Sequence, residues 1–98
     1  MSSNELKFLA TLESIIADRL ANPDDESYTA SLVTRGPKRI AQKVGEEGVE
    51  LALAAACGDR GEVTEEAADL LYHVLVLLRS RDISLAEIVA TLESRHTK

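Results

Sequence analysis

The sequence predicts an all-α protein, a four-to-five-helix bundle in one domain that spans residues 1–98. Leu and Ala supply 14 and 13 of the 98 residues, whereas Phe, Tyr and Trp together supply three. Leu and Ala favour helices, and the β-branched and aromatic residues that favour strands are sparse. Apolar residues also recur at helical spacing, and a chain this short has room for one core.

The first third of the chain predicts one long helix and then a loop. Leucines and isoleucines recur every three or four positions from residue 5 to residue 21. The predicted boundaries are Glu5 and Ala21, with Ser3 or Asn4 as the cap and Asn22-Pro23 as the stop. Residues 22–36 are polar and predict a loop with one short helical turn near Thr29 to Val33.

The remaining two thirds predict three further helices. The second helix begins near Pro37, a favoured first-turn residue, and ends at Ala56 or Cys57 before the C-cap Gly58. Cys57 itself is predicted to be a small core residue. The later boundaries are a turn at Asp59-Arg60-Gly61, a helix from Glu62 to Arg79, a turn from Ser80 to Ile83, and a last helix to Arg95 opened by the capping box of Ser84 and Glu87.

The charge pattern excludes two classes of partner. The net charge is −6, and residues 43–69 contain all of the excess, with eight acids and two bases. The basic footprint expected for nucleic acid is missing, as is a basic amphipathic helix for a membrane surface. The longest apolar run, Leu51 to Cys57, is too short to span a membrane. A single cysteine and no signal peptide predict a cytoplasmic location.

The acids of the two central helices predict a metal site. On a helical wheel Glu46, Glu47 and Glu50 occupy an arc of about 100° between two apolar stripes. In the next helix Glu66 and Asp69 share one face. Carboxylates next to apolar surface are costly unless a cation compensates them, and hard oxygen ligands select Mg²⁺ or Mn²⁺. The alternative is a solvated acidic face, which the paired spacing E-E-x-x-E and E-x-x-D disfavours.

Four blocks of the chain together resemble a known family. The blocks are Ser27-Tyr28-Thr29, Gly36-Pro37, Ile40 to Glu47, and Glu65 to His73. With them residues 5–95 resemble phosphoribosyl-ATP pyrophosphohydrolase, one of the all-α nucleotide pyrophosphohydrolases related to MazG and the dimeric dUTPases. The resemblance implies Mg²⁺-dependent hydrolysis of phosphoribosyl-ATP to phosphoribosyl-AMP and pyrophosphate, the second step of histidine biosynthesis.

The resemblance also implies which acids bind the metal. The family's metal-binding acids fall on Glu47, Glu50, Glu66 and Asp69 of this chain. An acid that is not used as a ligand can take the proton of the attacking water, and the candidates are Glu46 and Glu47. The sequence does not separate ligand from base.

Basic and aromatic residues around these acids have two interpretations each. Arg35, Lys38, Arg39 and Lys43 precede the acids and are predicted to bind substrate phosphates with the helix N-terminus, although solubility or pairing with acids also accounts for them. His73 is predicted to be buried and hydrogen-bonded to the carboxylate of Asp69, and the alternative is a metal ligand or a base. Tyr28 either stacks on a base or ribose or packs on the bundle.

The last helix predicts a homodimer. It adds the apolar stripe Leu85, Ile88, Val89 and Leu92 to a bundle whose central helices already carry more apolar surface than four helices cover. The resemblance also implies a dimer, with a small-molecule nucleotide as the substrate and no nucleic acid or membrane as partner.

Three other functions compete with this hypothesis. A pyrophosphohydrolase of the same superfamily that acts on another nucleoside triphosphate is the nearest. A di-iron carboxylate bundle requires Glu-x-x-His pairs, and the one such pair, Glu93 with His96, lies at the end of the chain. A helical interaction domain without enzymatic activity would use the acids as a binding face.

Overall fold

The chain is all-α, as the sequence predicts. The computed structural model describes residues 3–22 and 27–97, which form five helices and no strand. The helices are α1 (Ser3–Ala21), α2 (Tyr28–Arg35), α3 (Pro37–Cys57), α4 (Arg60–Ser80) and α5 (Leu85–His96). None of these described helices has a segment long and apolar enough to cross a membrane.

The centre of the fold is the antiparallel hairpin of α3 and α4, the most extensive helix pair. Helices α1 and α2 pack against the half of this hairpin that contains the start of α3 and the end of α4. The core lies under them, and its fully buried members are Ile16, Leu32, Ile40, Leu75 and Val76. The other half of the hairpin, toward its turn, lies away from this core.

The hairpin turn is tighter than the sequence predicts. Asp59 is the N-cap of α4, and its Oδ1 accepts a hydrogen bond from the Glu62 backbone N–H at 2.9 Å. The prediction of a three-residue turn was therefore wrong, because Arg60 and Gly61 already belong to the helix. Gly58 donates its N–H to the Ala54 carbonyl at 2.7 Å. A Cβ at Gly58 would lie 2.9 Å from that carbonyl oxygen, so glycine permits the close approach.

The segment before α3 is a helix of eight residues, where the sequence predicts one turn inside a loop. The Ser27 side chain caps it by accepting from the Ala30 N–H, and Leu32 anchors it in the core. Gly36 ends it with a φ of 94°, a conformation that favours glycine. The predicted stop at Pro23 lies outside the described residues.

The first helix also begins earlier than the sequence predicts. Ser3 and Asn4 lie within α1, so neither is its cap, and the prediction of a cap at these positions was wrong. The predicted end is confirmed at Ala21, where Asn22 leaves the helix and bonds back to the Asp18 carbonyl.

Helix α5 is capped as predicted but is weakly covered. Ser84 and Glu87 form the capping box in both directions. The Leu85 N–H donates to Glu13 Oε2 at 2.6 Å, which ties only the first turn to α1. No residue of α5 is buried, and Val89 and Leu92 are about half exposed.

Cys57 is exposed, so the prediction that it is a core residue was wrong. It lies in the last turn of α3, beyond the part of the hairpin that α1 and α2 cover. A small apolar residue near the end of a helix is buried only where another element packs against it. No described helix of this chain packs against Cys57.

Candidate active site

Carboxylates from the two hairpin helices converge at the middle of the hairpin. Glu47 from α3 and Glu66 and Asp69 from α4 each present an oxygen, and these oxygens all lie within 4.8 Å of one another. Glu66 and Asp69 share a face because they are three positions apart on one helix. Glu47 is buried and Asp69 is exposed, so the cluster extends from the interior to the surface.

Two oxygens of this acid cluster have no protein partner. Oε2 of Glu47 and Oε2 of Glu66 are buried and accept no hydrogen bond from the described residues. Buried polar atoms are normally satisfied, so these oxygens indicate a ligand. An all-oxygen donor set suits a hard divalent cation such as Mg²⁺ or Mn²⁺, and the residues present therefore fit such an ion.

Glu50 lies at the solvent-exposed edge of the acid cluster. Its pKa is raised, chiefly because its protonated form would donate a hydrogen bond to Glu47, and also because Glu47 and Glu66 are negatively charged. Glu50 is exposed, unlike Glu47 one turn before it. It thus borders the three convergent acids and can complete the set of four that the family resemblance implies.

Lys43 neutralises the inner side of the cluster. Its Nζ lies 3.1 Å from Glu47 Oε1 and 3.6 Å from Glu46 Oε1. The hydrogen bond to Glu47 raises the pKa of Lys43. Burial opposes the ionisation of Glu47, but the hydrogen bond from Lys43, together with one that a protonated Glu50 would donate, outweighs burial, and the pKa of Glu47 is lowered. The structure therefore shows Lys43 bridging the two acids, one of the two interpretations of this lysine.

Glu46 points away from the convergent acids, although it is the neighbour of Glu47. It is exposed, accepts a hydrogen bond from Gln42 Nε2 at 2.8 Å, and pairs with Arg39 at 3.6 Å. Consecutive helical residues project about 100° apart, which separates the two glutamates. Of the two predicted bases, only Glu47 lies in the acid cluster.

The four predicted phosphate-binding cations divide into two pairs. Arg39 pairs with Glu46, and Lys43 pairs with both Glu46 and Glu47. Arg35 and Lys38 are exposed where α2 meets α3, and neither forms an ion pair with the described residues. Pairing with acids thus accounts for two of the four.

His73 is buried, as predicted, but it bonds to a different atom of Asp69. Its Nδ1 donates to the backbone carbonyl of Asp69 at 2.7 Å, not to the carboxylate, so the predicted carboxylate bond was wrong. The ring reaches back one helical turn along the backbone, while the carboxylate of Asp69 turns toward Glu47 and Glu66. Because a carbonyl only accepts, neutral His73 has an unprotonated Nε2, which accepts from the Tyr28 hydroxyl at 2.9 Å.

Sequence reasoning missed a second bond beside this one. The hydroxyls of Thr29 and Tyr72 are hydrogen-bonded, and Thr29 is almost fully buried. Two adjacent residues of α2 thus bond to two adjacent residues of α4. One feature of the sequence could have indicated this bond: Tyr28-Thr29 and Tyr72-His73 both place polar groups at positions where an apolar contact is expected.

A cavity of about 400 Å³ adjoins the acid cluster on the side of the hairpin turn. Glu50 and Glu66 belong to both, and the cavity continues along Leu53, Cys57 and Glu62. Its volume is within the range of small-molecule sites. The acid cluster is therefore open to a ligand from the turn side of the hairpin.

An all-helical domain with a carboxylate cluster between two facing helices has the architecture of the all-α nucleotide pyrophosphohydrolases. The sequence model of one family in this class, phosphoribosyl-ATP pyrophosphohydrolase, matches residues 9–96. The chain therefore belongs to the phosphoribosyl-ATP pyrophosphohydrolase family, and the family predicted from the sequence is confirmed.

Curated relatives are bifunctional proteins of histidine biosynthesis. The chain is 53% identical over 93 residues to the histidine biosynthesis bifunctional protein HisIE of Photobacterium profundum, covering 95% of the chain and 45% of that protein. It is 53% identical over 98 residues to the protein of the same name from Shewanella oneidensis, covering 100% and 46%. The corresponding Salmonella typhimurium protein is 52% identical over 95 residues, covering 97% and 47%. The chain thus spans a little under half the length of these relatives.

Proposed function

We propose that this chain hydrolyses phosphoribosyl-ATP to phosphoribosyl-AMP and pyrophosphate, with Mg²⁺ held by Glu47, Glu50, Glu66 and Asp69. The observation that carries the proposal is the convergence of three carboxylates within 4.8 Å, two of them with a buried oxygen that no described residue satisfies. Family membership supports the substrate, and the names of the relatives support a place in histidine biosynthesis.

The protein groups divide the remaining work. When bound, Mg²⁺ neutralises charge on the phosphate oxygens and lowers the pKa of the attacking water. Of the two predicted bases, Glu47 lies in the acid cluster and holds the metal, whereas Glu46 is exposed and paired with Arg39 and Gln42. Lys43 holds the Glu47 carboxylate in position through the 3.1 Å contact.

The predicted cations supply the charge that the pyrophosphate half of the substrate requires. Arg39 and Lys43 already stand beside the acids, and their pairing with Glu46 and Glu47 orients them without burying them completely. Arg35 and Lys38, at the junction of α2 and α3, are available to the terminal phosphates. In this arrangement the phosphates of the substrate lie toward the four cations, and the metal lies at the acid cluster.

The test is pyrophosphate release from phosphoribosyl-ATP with Mg²⁺ and with a chelator. We expect release only with the metal, and a Glu66→Gln variant that folds normally but is inactive. A panel of other nucleoside triphosphates run beside it addresses the rival substrate. Faster cleavage of any of these than of phosphoribosyl-ATP would contradict the proposal.

We also propose that the active form is a homodimer. Support comes from apolar surface that this chain leaves uncovered: Val49 and Leu53 on α3 are 60% and 61% exposed, and Val89 and Leu92 on α5 are 53% and 50% exposed. A second copy of the chain would cover such faces. The composition does not lead us to expect a basic surface suited to nucleic acid. The single cysteine, which is a free thiol, supports the proposal that the protein is cytoplasmic.

Light scattering and mixed variants test the dimer. We expect a particle of twice 10.6 kDa at micromolar concentration, and an active monomer would contradict the proposal. If Arg35 reaches the acids of the other chain, inactive Glu50→Gln and Arg35→Ala chains should recover activity when mixed. If the mixed chains form a dimer but recover no activity, each active site is built from one chain.

A further inference from the structure

Tyr28 is held in place by its neighbours, and yet the residue is 48% exposed. Its hydroxyl donates to His73 Nε2 at 2.9 Å, and the edge of the His73 ring meets it at a centroid distance of 5.6 Å and an angle of 81°. The Tyr72 ring is tilted by 30° against the Tyr28 ring, with the two ring centroids 6.1 Å apart. A tyrosine that only packs on a bundle buries its ring while the hydroxyl reaches a partner, and this one leaves much of the residue in solvent.

The segment that holds this ring is anchored twice. Thr29, the next residue, is buried and bonds through its hydroxyl to the Tyr72 hydroxyl. Ser27, the residue before it, caps α2. The first turn of α2 is thus tied to α4, and the Tyr28 ring loses little further freedom when a ligand binds on it. A preorganised aromatic side chain binds at low entropic cost.

The ring is also next to the acid cluster. His73, which accepts from Tyr28, donates to the backbone carbonyl of Asp69 at 2.7 Å. Lys43, which pairs with Glu47, is near enough to Tyr28 for the two groups to influence each other electrostatically. An uncharged, flat, exposed surface therefore stands beside the charged part of the site.

We propose that the exposed face of Tyr28 is the platform on which the purine base of the nucleotide stacks. The inference rests on the proposed function, because that function supplies a purine nucleotide with its phosphates at the acid cluster. Stacking is the recognition mode that fits here, since a tyrosine face accepts a base without any charge of its own. The metal and the cations then recognise the phosphates, and Tyr28 recognises the base.

Binding of two product fragments separates this role from the rest of the site. AMP carries the base, and ribose 5-phosphate lacks it, so both are titrated in Mg²⁺ against the full chain. We expect Tyr28→Leu to weaken AMP binding about tenfold or more, the usual scale of losing one base–aromatic stack, and to leave ribose 5-phosphate binding unchanged. Tyr28→Phe, which keeps the ring and loses the bond to His73, should bind AMP within about threefold of the unaltered chain.

Three results would overturn the platform. They are unchanged AMP binding by Tyr28→Leu, equal losses of AMP binding in the leucine and phenylalanine variants, and a loss of ribose 5-phosphate binding as large as that of AMP. Phe8→Leu is the matched control, because Phe8 is an exposed aromatic residue of α1, 54% accessible, and its removal should change neither affinity.

A second measurement tests the platform even if the Tyr28→Leu variant does not fold. In the unaltered chain, AMP should shift the NMR signals of the Tyr28 ring protons and ribose 5-phosphate should not. Equal shifts with both ligands, or none with AMP, would also overturn the platform. Neither experiment uses turnover, so a chain that binds AMP through Tyr28 but fails to cleave phosphoribosyl-ATP would refute the proposed function and support the platform.

Discussion

The two halves of the α3–α4 hairpin differ in how far other helices cover them, and the acid cluster lies at the boundary between the halves. On the half under α1 and α2, Ile40, Leu75 and Val76 are at most 3% exposed. On the half toward the turn, Val49 and Leu53 are about 60% exposed. The same two helices therefore form a packed scaffold at one end and leave apolar surface uncovered at the other.

Glu47 and Glu50 show what this difference does to two identical side chains. Glu47 faces the covered half, where Lys43 lies 3.1 Å away and the pKa of the carboxyl is lowered. Glu50, one turn later, faces the open half, has no ion pair with the described residues, and has a raised pKa because Glu47 and Glu66 are its neighbours. Among the residues that the structure describes, the ion pair to the acid cluster lies on the inner side, and the proposed cation would supply positive charge on the outer side.

The largest expected effect is on turnover. Glu47→Gln, Glu50→Gln, Glu66→Gln and Asp69→Asn should each reduce pyrophosphate release by at least about a hundredfold, the scale of losing transition-state charge stabilisation. The effect should be the same on both sides of the boundary, because each of the four carboxylates supplies an oxygen to the proposed metal site. Steady-state kinetics with phosphoribosyl-ATP measures it.

Asp82→Asn is the control for these four variants. Asp82 is an exposed acid just after the end of α4 and lies outside both the convergent set and the cavity, so its loss should leave turnover nearly unchanged. If any two of the four variants kept full activity, the assignment of the metal site would be wrong.

The next effect is on stability in the presence of metal. A ligand that binds only the folded chain stabilises it by about 2.7 kcal/mol at a hundredfold excess over its Kd, so Mg²⁺ should raise the Tm by on the order of 10 °C. The rise should disappear in Glu66→Gln and persist in Glu62→Gln, whose carboxylate lies farther toward the turn. Scanning calorimetry at constant ionic strength gives both values, and a Tm insensitive to Mg²⁺ and Mn²⁺ would refute the metal site.

The boundary itself was only partly predictable from the sequence. Helical spacing and capping residues gave α3 nearly to the residue, and the paired acids indicated which faces of α3 and α4 meet. Spacing does not say how far α1 and α2 extend along the hairpin. For this reason Cys57 was predicted to be buried and is exposed.

Side-chain direction was the other limit on prediction. A helical wheel places Glu46 and Glu47 in one arc, but packing buries only Glu47 and leaves Glu46 to Gln42 and Arg39. The bond from His73 to a backbone carbonyl, like the bond between Thr29 and Tyr72, depends on tertiary contacts that have no period in the sequence. Such pairs are evident only once α2 is placed against α4.

The smallest expected effect sharpens the comparison of Glu47 with Glu50, and it requires metal-free protein. The raised pKa of Glu50 means that its ionised form destabilises the fold at neutral pH, and this penalty is lost as the pH falls through the raised pKa to the ordinary value. The lowered pKa of Glu47 means the reverse: its ionised form stabilises the fold above the ordinary value, and that contribution is lost as the pH falls through the lowered pKa. At pH 7 in chelator, Glu50→Gln should therefore raise the Tm and Glu47→Gln should lower it, each by a few degrees at most. Both differences should shrink toward zero in acid, where both carboxyls are protonated in the folded and unfolded chains. Thermal melts of the two variants from pH 7 to pH 3 measure this, and differences of the same sign at pH 7 would show that the two halves of the hairpin do not treat the acids differently.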